Sequence, residues 1–255
     1  MGTIRTMSPD ALREEMHWCL LQAPRLPLPE LPAPPRLDGL SAVLAGAVLD
    51  PGRDLPLRIG HRFEAHWRWA FEHLPGWELL AHNQQIHVGG RTLGAPDLLV
   101  RDRHDVWHIE LAVKFYLCHP DRSGDEQADW IGPSVRDSLA RKRARMQSHQ
   151  LPLLCSAAAQ AALSAQGLPL PTRTAAIVRG ILFSHWQRPH PWAAGRWCWR
   201  RELPLRDVQP LSRQEWLGAS PTAPWGPAPL APEAPMQVLA RDGRRWMVVP
   251  DSWPG

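Results

Sequence analysis

The 255-residue chain predicts an α/β protein in which a mixed sheet is flanked by helices, with extra elements at both ends. Three observations carry this. Residues 58–74 repeat apolar side chains at a helical period. Residues 77–117 switch to runs rich in β-branched and aromatic residues, separated by turn signals. A second helical pattern at 134–149 then leads into one more strand at 174–184.

Each element has its own warrant. Residues 8–22 predict a helix, with Ser8 as cap, Pro9 in the first turn, and Leu12, Met16, Cys19 and Leu20 on one face. "APRLPLPELPAPPRLDG" follows, and its six prolines make it a stiff connector. The helix at 58–74 aligns Ile59, Phe63, Trp67, Ala70, Phe71 and Leu74, with Glu64 on the shoulder of the stripe, and Pro75-Gly76 ends it. "WELLAHNQQIHV", a hairpin signal at Gly89-Gly90, "RTLGAPDLLVR" and "VWHIELAVKFYL" read as three consecutive strands of an antiparallel meander. The helix at 134–149 takes Ser134 as its cap, with Val135, Leu139, Lys142 and Met146 on one line. An Ala-rich helix at 157–165, the strand at 174–184 and a strand at 196–203 come next. A Pro/Ala linker (218–235) precedes a hairpin around Asp242-Gly243. The division is 1–57 for the N-terminal helix and connector, 58–216 for the core, and 217–255 for the linker and hairpin.

Composition bounds the function. Apolar content of 44% and charged content of 21% suit a folded globular chain rather than a disordered one. The net charge of +4 permits a polyanionic partner without demanding one. No run is long and apolar enough for a membrane span, and "MGTIRTMSPDALREEMHW" offers no signal-peptide core. Gly2 with Thr6 is only a weak acylation match. Four scattered cysteines with no C-x-x-C pair suggest reduced thiols and a cytoplasmic location. The chain lacks a Walker loop, G-x-S-x-G and G-x-G-x-x-G, which removes the commonest nucleotide, hydrolase and dinucleotide readings.

The chemistry concentrates in "HIELAVKFYL" (108–117). As a strand it turns His108, Glu110, Ala112, Lys114 and Tyr116 to one face, and an apolar set to the other. With Arg103 and His104 at the centre of the preceding turn, Asp97 falls opposite Glu110. Cβ atoms so placed are about 4.5–5.5 Å apart. Two carboxylates that close repel unless one keeps a proton or a cation lies between them, and oxygen ligands suit Mg²⁺ or Mn²⁺. The predicted metal site is therefore Asp97 and Glu110, with Lys114 beside it and Glu64 arriving from the helix. Such a metal activates water at a phosphodiester while the lysine steadies developing charge. The competing reading is an ordinary solvated sheet face. His108 shares that face as an extra ligand or base, or more simply as a structural histidine. "ARKRAR" (140–145) puts Arg141, Lys142, Arg143 and Arg145 on a helix that can track phosphates, against the simpler reading of a solvated basic face.

"GAPDLLV…HIELAVK" resembles the core signature of the PD-(D/E)XK nuclease-like superfamily. "RTLGAPDLLVRD", "HIELAVKFYL", "WIGPSVRDSLARK" and "HQLPL" resemble the bacterial domain of unknown function 1853 family within it. The resemblance implies a restriction-endonuclease-like α-β-β-β-α-β core, and a metal-dependent nuclease acting on DNA or RNA. It implies Glu64 as the helical acid, and Asp97 and Glu110 as metal carboxylates. One position departs from the pattern. Where the superfamily places lysine, two residues after the glutamate, this chain has Ala112, and Lys114 lies ~6.6 Å farther along the strand. Lys114 reaching back, Lys142 substituting from the next helix, and loss of catalysis with retention of the fold as a nucleic-acid-binding or protein-interaction module are the three alternatives.

Overall fold

The computed structural model describes residues 7–50, 55–227 and 233–254. The acylation reading at Gly2 and Thr6 and the middle of the Pro/Ala stretch lie outside them.

The chain opens with α1 (Pro9–His17), whose Ser8 hydroxyl accepts from the Ala11 N–H as the sequence predicts. A π-helical turn (Trp18–Gln22) follows, and then α2 (Leu40–Gly46) and α3 (Ile59–His73). The strands are β1 (Glu78–His82), β2 (Ile86–Val88), β3 (Arg91–Gly94), β4 (Leu98–Arg101), β5 (Val106–Cys118) and β6 (Trp130–Ile131). Helices α4 (Leu139–Arg145) and α5 (Ala157–Ala165) lead to β7 (Arg173–His185), β8 (Gly195–Trp199) and β9 (Val208–Leu211). β10 (Met236–Ala240) and β11 (Arg245–Val249) form the terminal hairpin.

Nine strands make one mixed sheet in the order β1-β4-β5-β7-β8-β11-β10-β9, with β6 on the edge of β5. β4 is antiparallel to both β1 and β5, and β7 runs parallel to β5. One face of β5 (Ile109, Leu111, Val113, Phe115, Leu117) packs in a single cluster with Phe63, Trp67 and Phe71 of α3 and Met16 of α1. The other face, which carries the charged residues of the strand, is covered as well. Ala112 and Tyr116 pack under Leu139 and Met146 from the α4 region and under Leu26, Leu28 and Leu31.

Those three leucines belong to the proline-rich stretch, which is more than a spacer. It runs along the free edge of β7: the Leu26 N–H donates to Val178 C=O, and the N–H groups of Ala176 and Gly180 donate to Pro32 and Pro24. Prolines suit an edge, because they end the ladder instead of offering further donors.

Three expectations need correction. First, 77–88 is two strands. The chain leaves the sheet at Asn83, whose φ is +48°, and its N–H donates to the Asp97 carbonyl where the chain returns. The Gly89-Gly90 hairpin forms as its own two-stranded sheet, β2–β3. Second, the helix at 134–149 starts later. Ser138, not Ser134, caps α4 by accepting from Arg141 N–H, and Val135 sits exposed at φ +65° in the preceding loop. Third, β8 ends at Trp199 and the chain turns into a single 3₁₀ turn at 200–202.

Candidate functional site

The β4–β5 register pairs Leu98 with Ile109 and Arg101 with Val106, so Asp97, one residue before β4, falls beside Glu110 as expected. The Asp97 Oδ2 accepts from the Leu111 N–H at 2.7 Å, which holds it against the edge of β5. Burial, then the charge of Glu110, pushes the Asp97 carboxyl up to about 8, with the Leu111 N–H pulling the other way.

Glu110 is only 1% exposed. Its Oε1 lies 2.7 Å from His108 Nε2, and its Oε2 accepts from Gln150 Nε2 at 2.6 Å. The Gln150 Oε1 accepts in turn from Lys142 Nζ at 2.9 Å. A polar chain His108–Glu110–Gln150–Lys142 thus ties the central strand to α4. The π-helical turn Met146–Gln150 that extends α4 brings Gln150 back over Lys142. Widened turns of this kind are common at functional sites. Lys142 is 8% exposed, and burial first, then the charge of Lys114, lowers its pKa, while Asp97 and Glu110 oppose that.

Glu64 reaches the same region from α3. Burial raises its carboxyl, and Glu110 adds to that, while His61, Asn83 and Lys142 act against it. Glu64, Asp97, Glu110 and Lys142 therefore sense one another's charge.

Lys114 does something different from what was expected. Its Nζ donates to Asp137 Oδ2 at 2.7 Å, and the Tyr116 hydroxyl donates to the same oxygen at 3.1 Å. The other Asp137 oxygen accepts from the Ser138 N–H. Lys114 is thus held by the loop before α4 through Asp137.

A cavity of about 1170 Å³ opens beside this region. Asp97, Glu64, Lys114 and Lys142 line it, as do Arg141 and Arg145 of the predicted basic helix. Arg143 turns away and pairs with Glu30 at 3.2 Å. Arg58, Arg136 and Arg213 complete the basic lining. Among the described residues, Arg58, Arg136, Arg145 and Arg213 have no carboxylate partner. Gln150, Asp137, Arg58, Arg136 and Arg213 were missed by sequence reasoning, whereas Arg145 was among the predicted basic residues. A signal for Gln150 existed, because it continues the Lys142–Met146 line by four residues.

Asp97 and Glu110 form a two-carboxylate donor set. Among the described residues, no group of three or more His, Cys, Asp or Glu side chains is gathered to hold a metal ion. Two carboxylates still suit a hard, largely hydrated cation such as Mg²⁺, which commonly takes one or two from the protein and keeps several waters. Burial first and the charge of Glu110 second raise the Asp97 carboxyl, and a bound cation would offset the second of these.

These features define a mixed α/β protein with a buried carboxylate pair under an arginine-rich cavity. The chain belongs to the DUF1853 family, described as a domain of unknown function, whose profile matches residues 11–249. No curated protein and no solved structure matches it. Among the described residues, no helix is long and apolar enough to cross a membrane.

Proposed function

We propose that this protein is a metal-dependent nuclease that hydrolyses phosphodiester bonds in DNA or RNA. The observation that carries the reading is Asp97, just before β4, set beside Glu110 of β5 next to a cavity whose arginines Arg58, Arg136, Arg145 and Arg213 have no carboxylate partner among the described residues. The order α3–β1–β4–β5–α4–β7, with β7 parallel to β5, supports the restriction-endonuclease-like core that the sequence resemblance implies. The compartment we propose is the cytoplasm, where the four free cysteines stay reduced.

The residues divide the work as follows. Asp97 and Glu110 would hold Mg²⁺ or Mn²⁺, with Glu64 bearing on the same region. A bound ion of this kind lowers the pKa of a coordinated water and offsets phosphodiester charge. Gln150 fixes Glu110 in one rotamer through its short bond to Oε2. Lys142, buried beside both carboxylates, supplies the positive charge that the superfamily pattern draws from the position of Ala112. Its lowered pKa suits it to give up and regain a proton. Arg141 and Arg145 neutralise substrate phosphates along one wall.

A second reading has its own support. Ala112 stands at the usual lysine position and Lys114 is tied to Asp137, which fits a fold retained for nucleic-acid binding without hydrolysis. One assay separates the two. Wild-type protein should cleave labelled nucleic acid with Mn²⁺, while Asp97→Asn and Lys142→Met should each lose roughly 10²-fold or more. Equal cleavage by wild type and Asp97→Asn would sink the nuclease reading at this site.

A further inference from the structure

The cavity follows from a gap in the sheet. β4 pairs with β5 only as far as Ile109, and β6 pairs with it only at Leu117 and Cys118. Among the described residues, the edge of β5 between them has no neighbouring strand. Backbone direction there follows from the contacts at either end. The Leu111 N–H points to Asp97, on the β4 side, and Val106 C=O points to Thr172, on the β7 side. Residues of the same parity as Leu111 share its direction, so Val113 and Phe115 turn their N–H and C=O groups into the gap. The floor of the cavity is therefore a row of backbone polar groups, some 13–17 Å long at strand rise.

This floor is walled on four sides. Asp97 and the start of β4 close one end, and Gly132 and Pro133, just after β6, close the other. Along one flank stands the first turn of α3 with Arg58 and His61, joined by Arg213; along the other stand Lys142 and Arg145 of α4. The result is a short trough with closed ends, a basic rim and the Asp97 carboxyl at one end.

Such a shape discriminates by flexibility. Duplex DNA stays straight over about 150 base pairs, so a duplex laid on the rim passes over a closed-ended trough. A single strand bends sharply and can dip its backbone to the floor. There the basic walls follow its phosphates and the Val113 and Phe115 amides offer donors.

We infer that the trough takes single-stranded nucleic acid, as a flexible strand or an unpaired end, in preference to duplex. This rests on the nuclease reading and specifies its substrate class. The test is fluorescence polarisation with the full chain in divalent-free buffer, comparing one labelled oligonucleotide of about 20 nucleotides, single-stranded and annealed as a blunt duplex. The single strand should bind at least about tenfold more tightly at equal salt. Arg145→Glu and Arg58→Glu, both on the rim, should each weaken single-strand binding about tenfold or more with an unchanged thermal midpoint. Equal or tighter duplex binding overturns the single-strand inference and leaves the nuclease reading standing. Binding of neither form overturns both. Single-strand binding that both charge reversals leave intact also overturns the inference, since the strand then sits elsewhere.

Discussion

At the scale of single residues, Asp97 has the sharpest consequence. Its pKa is raised from the ordinary aspartate value of 3.8 to about 8, by burial first and Glu110 second. For an acid whose folded pKa is raised, the folded state holds the proton more tightly than the unfolded chain. Stability is then full below about pH 4 and declines as pH rises towards about 8. Asparagine at this position still accepts from the Leu111 N–H but carries no charge. Asp97→Asn should therefore become more stable relative to wild type as pH rises, by up to about 5 kcal/mol at pH 9 in chelator, at about 1.4 kcal/mol per pH unit between pH 4 and 8. Thermal midpoints at pH 5 and pH 9 measure this, and a difference independent of pH would refute the buried-charge account. The carboxylate pair was legible in the sequence because a local turn sets the register. Asp102 accepts from the N–H groups of His104 and Asp105, which fixes the turn centre that puts Asp97 beside Glu110. The fate of Lys114 was not legible. It depends on Asp137, in a loop whose course is set by packing and carries no periodic pattern.

Two elements depend on close or buried contacts that the sequence does not announce. Gly180 lies opposite Lys114 in the β5–β7 pair with φ +147°, and a Cβ there would meet the Lys114 carbonyl oxygen at 1.7 Å. Gly180→Ala must push the two central strands apart, so the loss should exceed about 3 kcal/mol in urea unfolding. A loss below about 1 kcal/mol would mean the backbone relaxes there more readily than packed strands should. On the apolar side, Glu15 is fully buried between Arg62 and His66, joining α1 to α3. Arg62→Met leaves that carboxylate with a single partner, and should destabilise the protein by roughly 3–5 kcal/mol. The double variant Arg62→Met/Glu15→Leu should recover much of it; if it recovers nothing, the cost is packing and not an uncompensated charge. The stripes of α1, α3 and β5 were readable because one face of each repeats at its own period. The late start of α4 was not, since Ser134 and Ser138 are equally good caps by chemistry. Only the loop geometry, with Val135 at φ +65°, decides between them.

At the scale of the whole molecule, the question is whether the chain can be divided at residue 217, where its composition changes. The sheet argues that it cannot. β11 pairs in parallel with β8, and β10 stands between β11 and β9, so the terminal hairpin occupies the middle of one arm of the sheet. Cutting after Leu217 would bare the edge of β8 and leave β9 without its neighbour β10. The apolar cluster leads to the same conclusion, since Leu12, Met247, Val249 and Trp253 lie in the same one as the α3 and β5 residues. Trp253 also donates its indole N–H to the Pro133 carbonyl, at the closed end of the trough, at 3.0 Å. The full chain should therefore unfold in one cooperative transition seen alike by circular dichroism and tryptophan fluorescence. A chain ending at Leu217 should lose that transition or collect in the insoluble fraction, because an uncovered strand edge invites association. Two separable transitions in the full chain, or a soluble 1–217 fragment with an undiminished midpoint, would show instead that the terminal hairpin is an appendage and that the core and its site stand without it.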